Sequence, residues 1–266
     1  MTTDTIAIAA DQVLRTANAR DKAAAARAMA AQWRRGDLRI GDPVDPELRP
    51  ARPVKTDLLA PKDMPRRRKA GTEETRKALL HAIAHIELNA IDLSADMLAR
   101  FGAPDLPRAF FDDWVQVADE EGKHFLLLEN RLNDLGASYG DYPAHDGLWE
   151  AAETTHTDMG ARIAIAHMVL EARGLDVTPG MITRMQKFGD LETASILEII
   201  YHEEVGHVGI ASKWFAYVCD RDGIDRTRLW RDHVTQLFRG KLKRPFNTKA
   251  RNAAGMEPEL YEPLAD

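Results

Sequence analysis

Two stretches of this sequence place ionisable side chains where an amphipathic helix normally carries apolar ones. In the first stretch, apolar residues recur at steps of three and four until Glu121 and His124 interrupt them. In the second, Glu204 and His207 interrupt a similar stripe that continues to Trp214. Apolar residues at such steps form the buried face of a bundle helix. The pattern therefore predicts two helices that each bury a glutamate and a histidine.

A buried carboxylate needs a compensating positive charge, because its burial alone costs several kcal/mol. A metal ion supplies such a charge. Two further glutamates lie on inner stripes at matching distances along the chain, since Glu87 precedes Glu121 by 34 residues and Glu171 precedes Glu204 by 33. The sequence thus predicts two similar helical hairpins that enclose metal ions. The predicted metal ligands are Glu87, Glu121, His124, Glu171, Glu204 and His207.

Charge balance indicates how many ions these residues hold. Four ionised glutamates carry four negative charges, and two divalent cations neutralise them in a medium of low dielectric constant. Imidazole and carboxylate ligands suit iron or manganese. We therefore expect two iron ions, with manganese or a mixed iron and manganese pair left open.

Glutamates next to the predicted ligands are candidates for supporting them. Glu120 and Glu203 each precede a ligand glutamate directly in the sequence. We expect Glu203 to accept a hydrogen bond from the ring of His124, and Glu120 from the ring of His207, because such bonds orient metal-binding histidines. The alternative is that both side chains only add negative charge to a helix surface.

Two other residues lie on the same helix faces as predicted ligands. Tyr201 is three residues before Glu204 and either borders the metals, as a catalytic candidate, or packs in the core. His167 is four residues before Glu171 and is either an additional ligand or a hydrogen-bonded core histidine. Catalysis itself is expected at the metal centre.

Other histidines in the chain show how weak a single Glu-x-x-His motif is. Glu153 and His156 fit the motif, but they begin 18 residues, ~27 Å along a helix, before Glu171. They are therefore expected at the surface or at the end of the bundle. His81, His85 and His202 lie on helix faces that point away from the nearest ligand and are expected outside the metal site.

Three segments follow from the distribution of helix signals and prolines. Residues 1–70 are predicted to hold N-terminal helices and a proline-rich arm, residues 71–222 a four-helix bundle, and residues 223–266 a helix and an irregular tail. Asp21 is a candidate cap for an alanine-rich helix that stops at Gly36. Six prolines between positions 43 and 65 predict an extended arm laid over the body.

Caps and breakers bound the four bundle helices. The expected helices are Thr72–Phe101, Pro107–Leu135, Leu148–Arg173 and Asp190–Asp220. Thr178, Pro179 and Gly180 are expected to break the chain after the third helix. Glu87 and Glu121 both lie ~21 Å from the turn of the first hairpin, so they are expected to face each other.

Composition excludes several classes of protein. A net charge of −6 argues mildly against a nucleic-acid-binding protein. The single cysteine, Cys219, rules out an internal disulfide and a thiolate metal cluster. No apolar run approaches the ~20 residues of a membrane span, and the first residues lack a signal-peptide pattern. We therefore expect a cytoplasmic protein without a membrane segment.

The order Glu, Glu-x-x-His, Glu, Glu-x-x-His resembles that of the ferritin-like di-iron carboxylate superfamily over residues 72–220. Residues 84–93 (AHIELNAIDL), 171–180 (EARGLDVTPG) and 203–207 (EEVGH) resemble a bacterial ferritin-like family of unassigned function. The chain is also similar to di-iron tRNA hydroxylases that act on an isopentenyl-adenosine base. These resemblances imply a ferritin-like four-helix bundle whose iron pair reacts with dioxygen. The N-terminal arm and the tail differ from ferritin cages, which argues against a storage shell.

Three functions are compatible with this pattern. The first is a di-iron oxidoreductase that uses O₂ and an external electron donor to hydroxylate or oxidise an unidentified small molecule or a tRNA. The second is a ferroxidase, for which Fe(II) itself is the substrate. The third is a helical interaction module that metals stabilise without catalysis. A tRNA substrate would require the basic residues 66–69 and 241–244 beside the site. The assembly state is left open, a homodimer included.

Overall fold

The structure is a computed structural model that describes residues 4–59, 63–64 and 72–266. It is 70% helical, and within these residues strand-like pairing is limited to isolated bridges. The predicted all-α fold is therefore confirmed and is consistent with a helical bundle. The chain divides into two compact units, Met1–Trp149 and Glu150–Asp266. The predicted division into extension, bundle and tail stays a prediction.

The described residues of the first unit contain four complete helices. They are α1 (Ile6–Arg15), α2 (Ala19–Arg35), α3 (Glu73–Arg100) and α4 (Arg108–Asp134). Helices α3 and α4 pack against each other along their length, α1 packs on α3, and α2 packs on α4. The bounds of α3 and α4 agree with the sequence prediction to within a residue or two, because their ends are set by local capping signals.

Caps fix the helix ends in this unit. Thr72 begins α3 with a reciprocal capping box in which its side chain and that of Thr75 each accept a backbone N–H. The cap of α2 is Asn18, whose side chain accepts the N–H of Asp21 at 3.0 Å. The prediction that Asp21 is the cap is therefore wrong, because the helix begins at Ala19 and Asp21 lies in its first turn. Gly36, with φ of 81°, ends α2 as expected.

The described part of the proline-rich arm, residues 43–59, is non-helical and lies against other segments of the first unit. The arm's Val44 N–H donates to the carbonyl of Ala99 at 2.8 Å, and its Leu59 N–H donates to the carbonyl of Ala144 at 2.8 Å. These bonds satisfy backbone groups that a helix would have paired internally. The basic run 66–69 lies outside the described residues.

A buried cluster of charges ties the arm to α2 and α3. Lys22 of α2 and Arg52 of the arm both contact the carboxylate of Asp92 on α3. Arg52 also donates to the side-chain oxygen of Asn89 at 2.7 Å, and Lys22 donates to the carbonyl of Ala51 at 3.0 Å. Lys22 and Asp92 are fully buried. Their burial is tolerated because the opposite charges and hydrogen bonds compensate for lost hydration.

The second unit is built from helices that follow the connecting helix α5 (Gly147–Thr154). The remaining helical elements are α6 (Met159–Arg162), a π-helical segment (Ile163–Glu171), α7 (Ala172–Lys187), α8 (Leu191–Asp222), α9 (Arg226–Leu237), α10 (Thr248–Ala253) and α11 (Pro258–Tyr261), which a short 3₁₀ turn (Glu262–Leu264) follows. The π-helical segment and α7 both pack on α8. No helix of the described ranges combines the length and the apolar character that a membrane crossing requires.

The third bundle helix differs from the prediction at both ends. The expected helix Leu148–Arg173 is interrupted after α5, and Asp158 starts a new helix by accepting the N–H of Ala161 at 3.0 Å. From Met159 to Lys187 the chain is continuously helical, so the expected break at residues 178–180 is wrong. The long helix was therefore placed about ten residues too early.

Pro179 lies inside α7 because the group it would leave unpaired has another partner. Proline lacks an N–H, so the carbonyl four residues earlier, that of Leu175, loses its helical donor. The side-chain amide of Asn247 donates to this carbonyl at 3.1 Å. The helix thus continues through the proline, since a distant residue replaces the missing hydrogen bond.

The tail after α9 is more ordered than the sequence indicated. It was predicted to be irregular, but it contains α10 and α11 and is bound to α7. Arg251 forms a bidentate contact with Asp176, with distances of 2.9 and 2.7 Å, and Arg173 donates to the carbonyl of Lys243 at 2.7 Å. These polar contacts order the tail together with its buried apolar side chains, among them Met256, Leu260 and Tyr261.

Candidate metal centre

Helices α3 and α4 bring three potential metal ligands together in the first unit. Each of Glu87, Glu121 and His124 offers a ligand atom within 4.8 Å of the others. His124 Nδ1 lies 3.1 Å from Glu87 Oε2 and 3.4 Å from Glu121 Oε2. The two helices pack as a hairpin, and the side chains meet across it at the level that the sequence predicted. One imidazole nitrogen and two carboxylates thus converge on one place.

Burial makes this group unusual for a protein interior. Glu87 is 3% exposed, and Glu121 and His124 are fully buried. Burial raises the pKa of Glu87 to about 8, the negative charge of Glu121 adds to the rise, and His124 opposes it. The two carboxylates therefore repel each other when both are ionised in this buried site. A cation between them would remove that conflict, so the residues present fit a metal ion.

Apolar neighbours of these residues along the two helices are also buried. Leu88, Phe125 and Leu128, on the same two helices, are fully buried. Such side chains exclude water and keep the local dielectric constant low, which strengthens every interaction between charges there. The site is therefore held by rigid helices and dry packing.

The second unit carries the other Glu-x-x-His motif with closely similar internal spacing. His207 Nδ1 lies 3.4 Å from Glu204 Oε1, the same distance as between His124 and Glu121. His207 is buried, and the side chain of Glu204 is 13% exposed. The two motifs therefore present their side chains alike.

Glu171 pairs with a histidine of its own helix. His167 Nδ1 lies 2.9 Å from Glu171 Oε2, and both residues are buried. The other oxygen, Glu171 Oε1, is buried without a hydrogen-bond partner. A buried carboxylate oxygen with no donor has the environment of a metal ligand. Among the described residues of the second unit, these potential ligands lie in pairs and do not form a group as compact as that of the first unit.

Glu120 has a partner on its own helix, and Tyr201 has one in the tail. Glu120 and Glu203 are half-buried, and Glu120 Oε1 accepts from the amide of Gln116 at 3.1 Å. The half-buried Tyr201 accepts a hydrogen bond from the Asn247 amide at 2.9 Å. The links of Glu203 to His124 and of Glu120 to His207, and a place for Tyr201 beside the metals, stay predictions.

The histidine of the separate motif Glu153-x-x-His156 lies at the surface, as expected. His156 is exposed, and its Nδ1 lies 2.7 Å from the backbone carbonyl of Glu153 at the end of α5. His202 is also exposed.

Sequence analysis missed a second cluster of buried rings. His85 Nδ1 lies 2.8 Å from the hydroxyl of Tyr139, and the ring of His81 stacks on Tyr139 at 5.0 Å between ring centroids. His81 and His85 are both buried. The sequence feature that could have predicted this cluster is the presence of two tyrosines, Tyr139 and Tyr142, in the loop after α4, together with two histidines one helical turn apart on α3. This cluster packs the loop on α3.

These features define a class: an all-α protein with a buried group of glutamate and histidine side chains that could hold a metal ion. The chain belongs to the family described as "Protein of unknown function (DUF455)", whose model matches residues 15–262. An uncharacterized protein of Haemophilus influenzae is 43% identical to it over 212 residues, covering 76% of this chain and 72% of that protein. No solved structure matches the chain.

Proposed function

We propose that this chain is a di-iron oxidoreductase that activates O₂ to hydroxylate or oxidise a substrate. The observation that carries the proposal is the buried group of Glu87, Glu121 and His124, in which two carboxylates share a dry site with one imidazole. Glutamate and histidine side chains on facing helices are the ligands of di-iron carboxylate proteins. Manganese, or a mixed pair, remains an alternative to two iron ions.

The proposed ligand set uses both Glu-x-x-His motifs. We propose that Glu171, Glu204 and His207 complete a site with Glu87, Glu121 and His124. The equal spacing of glutamate and histidine within the two motifs supports this view. The resemblance of the residue order to the ferritin-like superfamily supports it as well.

The residues of the chain have distinct parts in the proposed reaction. Bound iron would supply the electrons that reduce dioxygen and, after oxidation, would need an external electron donor. Glu87 releases a proton as a cation enters, since its carboxyl otherwise keeps that proton at neutral pH. The buried apolar packing of the two helices excludes water from the group, which protects the reaction from competing hydrolysis and proton leakage. We propose that the substrate is a small molecule or a tRNA in the cytoplasm.

Metal content and O₂ consumption test the proposal. Purified protein is loaded anaerobically with Fe(II), the bound iron is counted by mass spectrometry, and oxygen uptake is followed with a chemical reductant present. We expect about two ions per chain and repeated oxygen uptake. The double variant Glu121→Gln/His124→Gln should lose both. The matched control, Glu153→Gln/His156→Gln, changes the surface copy of the motif and should lose neither.

Other outcomes separate the alternatives. Oxygen uptake that stops once the added Fe(II) is oxidised, with a ferric core in an assembled cage, would support a ferroxidase instead. Two bound ions without oxygen uptake, together with loss of folding in the double variant, would indicate a metal-stabilised interaction module. Protein that folds and binds no metal under any loading condition would refute all three functions.

A further inference from the structure

We propose that His167 is a positioning residue that holds one oxygen of Glu171 and so presents the other oxygen to the metal. This inference rests on the proposed function, because it concerns how one proposed ligand is oriented. In this role His167 does not touch the metal ion. It affects the ion that Glu171 binds only by holding the glutamate side chain in place.

The contact between the two side chains has a defined direction. His167 Nδ1 and Glu171 Oε2 are 2.9 Å apart, and a carboxylate can only accept. The imidazole therefore donates its Nδ1–H. Both residues are more than nine-tenths buried, and Glu171 Oε1 has no hydrogen-bond partner. One oxygen is thus fixed and the other is left for a cation.

The backbone next to Glu171 is also fixed. Glu171 is the last residue of the π-helical segment, where the hydrogen-bonding pattern changes to that of α7. Changes of this kind leave carbonyls poorly paired, and π-helical segments are frequent at functional sites. Arg251 donates to the carbonyl of Ala172 at 3.3 Å, and Asn247 donates to that of Leu175 at 3.1 Å. The tail therefore supports the backbone while His167 supports the side chain.

The first unit orients its corresponding glutamate differently. Glu87 Oε2 contacts His124, which comes from the other helix of the hairpin and is itself a proposed ligand. When His124 Nδ1 binds a metal, it can no longer donate to Glu87. Glu171 keeps its donor when metal binds, because His167 is separate from the Glu-x-x-His motif. The two metal positions are therefore unequal, and His167 affects one of them.

Three variants of His167 test this role by metal binding alone. His167→Leu removes the donor, and His167→Asn keeps an N–H near the place of Nδ1. We expect wild-type protein to bind two Fe(II) ions. His167→Leu should bind the first normally and the second at least about tenfold more weakly, and His167→Asn should recover most of that loss. If the leucine variant melts early by circular dichroism, His167→Ala replaces it.

The control is His202→Leu, which changes an exposed histidine of α8 and should bind both ions as the wild type does. X-ray absorption should show the same number of nitrogen ligands in His167→Asn as in wild type. A lower nitrogen count would make His167 a ligand and overturn the inference. Normal binding of two ions by His167→Leu and by His167→Ala would also overturn it, while leaving the proposed function intact. Failure of wild-type protein to bind metal would refute the proposed function itself.

Discussion

At the scale of single residues, the stability of the chain depends on pH through buried side chains. Burial has moved the pKa values of two of them in opposite directions. Burial raises the pKa of Glu87 to about 8 and lowers that of His85 to about 3. Both groups are thereby kept neutral at pH 7 in the metal-free protein. Their effects on stability have opposite signs, so each can be measured separately.

Glu87 should make the metal-free protein less stable as the pH rises. Between about 4.5 in the unfolded chain and about 8 in the folded one, the folded state binds more protons, so the free energy of unfolding falls with increasing pH. Glu87→Gln is expected to remove a slope of up to about 1.4 kcal/mol per pH unit. Urea unfolding at several pH values in that window measures it. Equal slopes in both proteins would contradict the raised pKa.

His85 should make the protein less stable as the pH falls. Burial, reinforced by the charge of Arg52, depresses its pKa from 6.5 to about 3, so the unfolded state binds more protons in that window. We expect His85→Gln to reduce the loss between pH 6.5 and 5 by roughly 2 kcal/mol. The comparison is made in the Glu87→Gln background, because the Glu87 slope would otherwise mask it. An unchanged acid slope would argue against a neutral His85.

At the scale of elements, α7 shows how a helix can contain a proline. The local sequence Thr178, Pro179 and Gly180 has the composition of a break, yet the helix continues to Lys187. Part of the energetic cost of a proline inside a helix comes from the carbonyl that it leaves without a hydrogen-bond donor. Asn247 removes that part of the penalty by donating to Leu175. The stability of α7 therefore depends on the tail, which supplies the hydrogen-bond donor that the proline lacks.

A double-mutant cycle between Asn247 and Pro179 tests this account. Asn247→Ala should destabilise the protein by about 1–3 kcal/mol, because the buried carbonyl of Leu175 loses its donor. Pro179→Ala restores a backbone N–H to the same carbonyl, so Asn247→Ala should cost less in that background. Thermal and urea unfolding of the four proteins give the coupling energy. Additive effects of the two substitutions would show that Asn247 acts elsewhere, for example only on Tyr201.

At the scale of the whole molecule, each compact unit carries one of the two Glu-x-x-His motifs that we propose as metal ligands, and each is stabilised by its own non-local contacts. The tail is bound to α7 in the second unit. In the first, the arm is bound to α2 and α3 through Asp92. Charged groups and hydrogen bonds thus help to order both the arm and the tail, and such contacts are sensitive to the loss of one partner.

Asp92→Asn is expected to be among the most destabilising single substitutions in the first unit. It leaves the buried charges of Lys22 and Arg52 without a carboxylate, which costs about 3–5 kcal/mol for a buried pair. The control is Asp141→Asn, which removes the exposed pair with Lys55 and should change stability little. Urea unfolding compares the two. A similar small effect of both substitutions would show that the Asp92 cluster contributes no net stability.

Much of the candidate site could be predicted because its signals are local. The spacing of Glu121 from His124, and of Glu204 from His207, places each pair on one helix face whatever the rest of the chain does. The contact of His167 with Glu171 follows from the same rule. Caps and glycines likewise set the ends of α3 and α4. The approach of Glu87 to His124 needed one further step, that the two helices form a hairpin.

The sequence by itself determined the all-α class, the long helices of the first hairpin and the places of Glu121 and His124 on one helix face, since periodicity and capping act over a few residues. Tertiary structure decided the continuity of α7, the order in the tail and the burial of Lys22. In each case a polar group is satisfied by a partner far away in the sequence, as with Asn247 and Leu175, which are 72 residues apart. A local pattern carries no record of such a partner, because folding alone brings the two groups together.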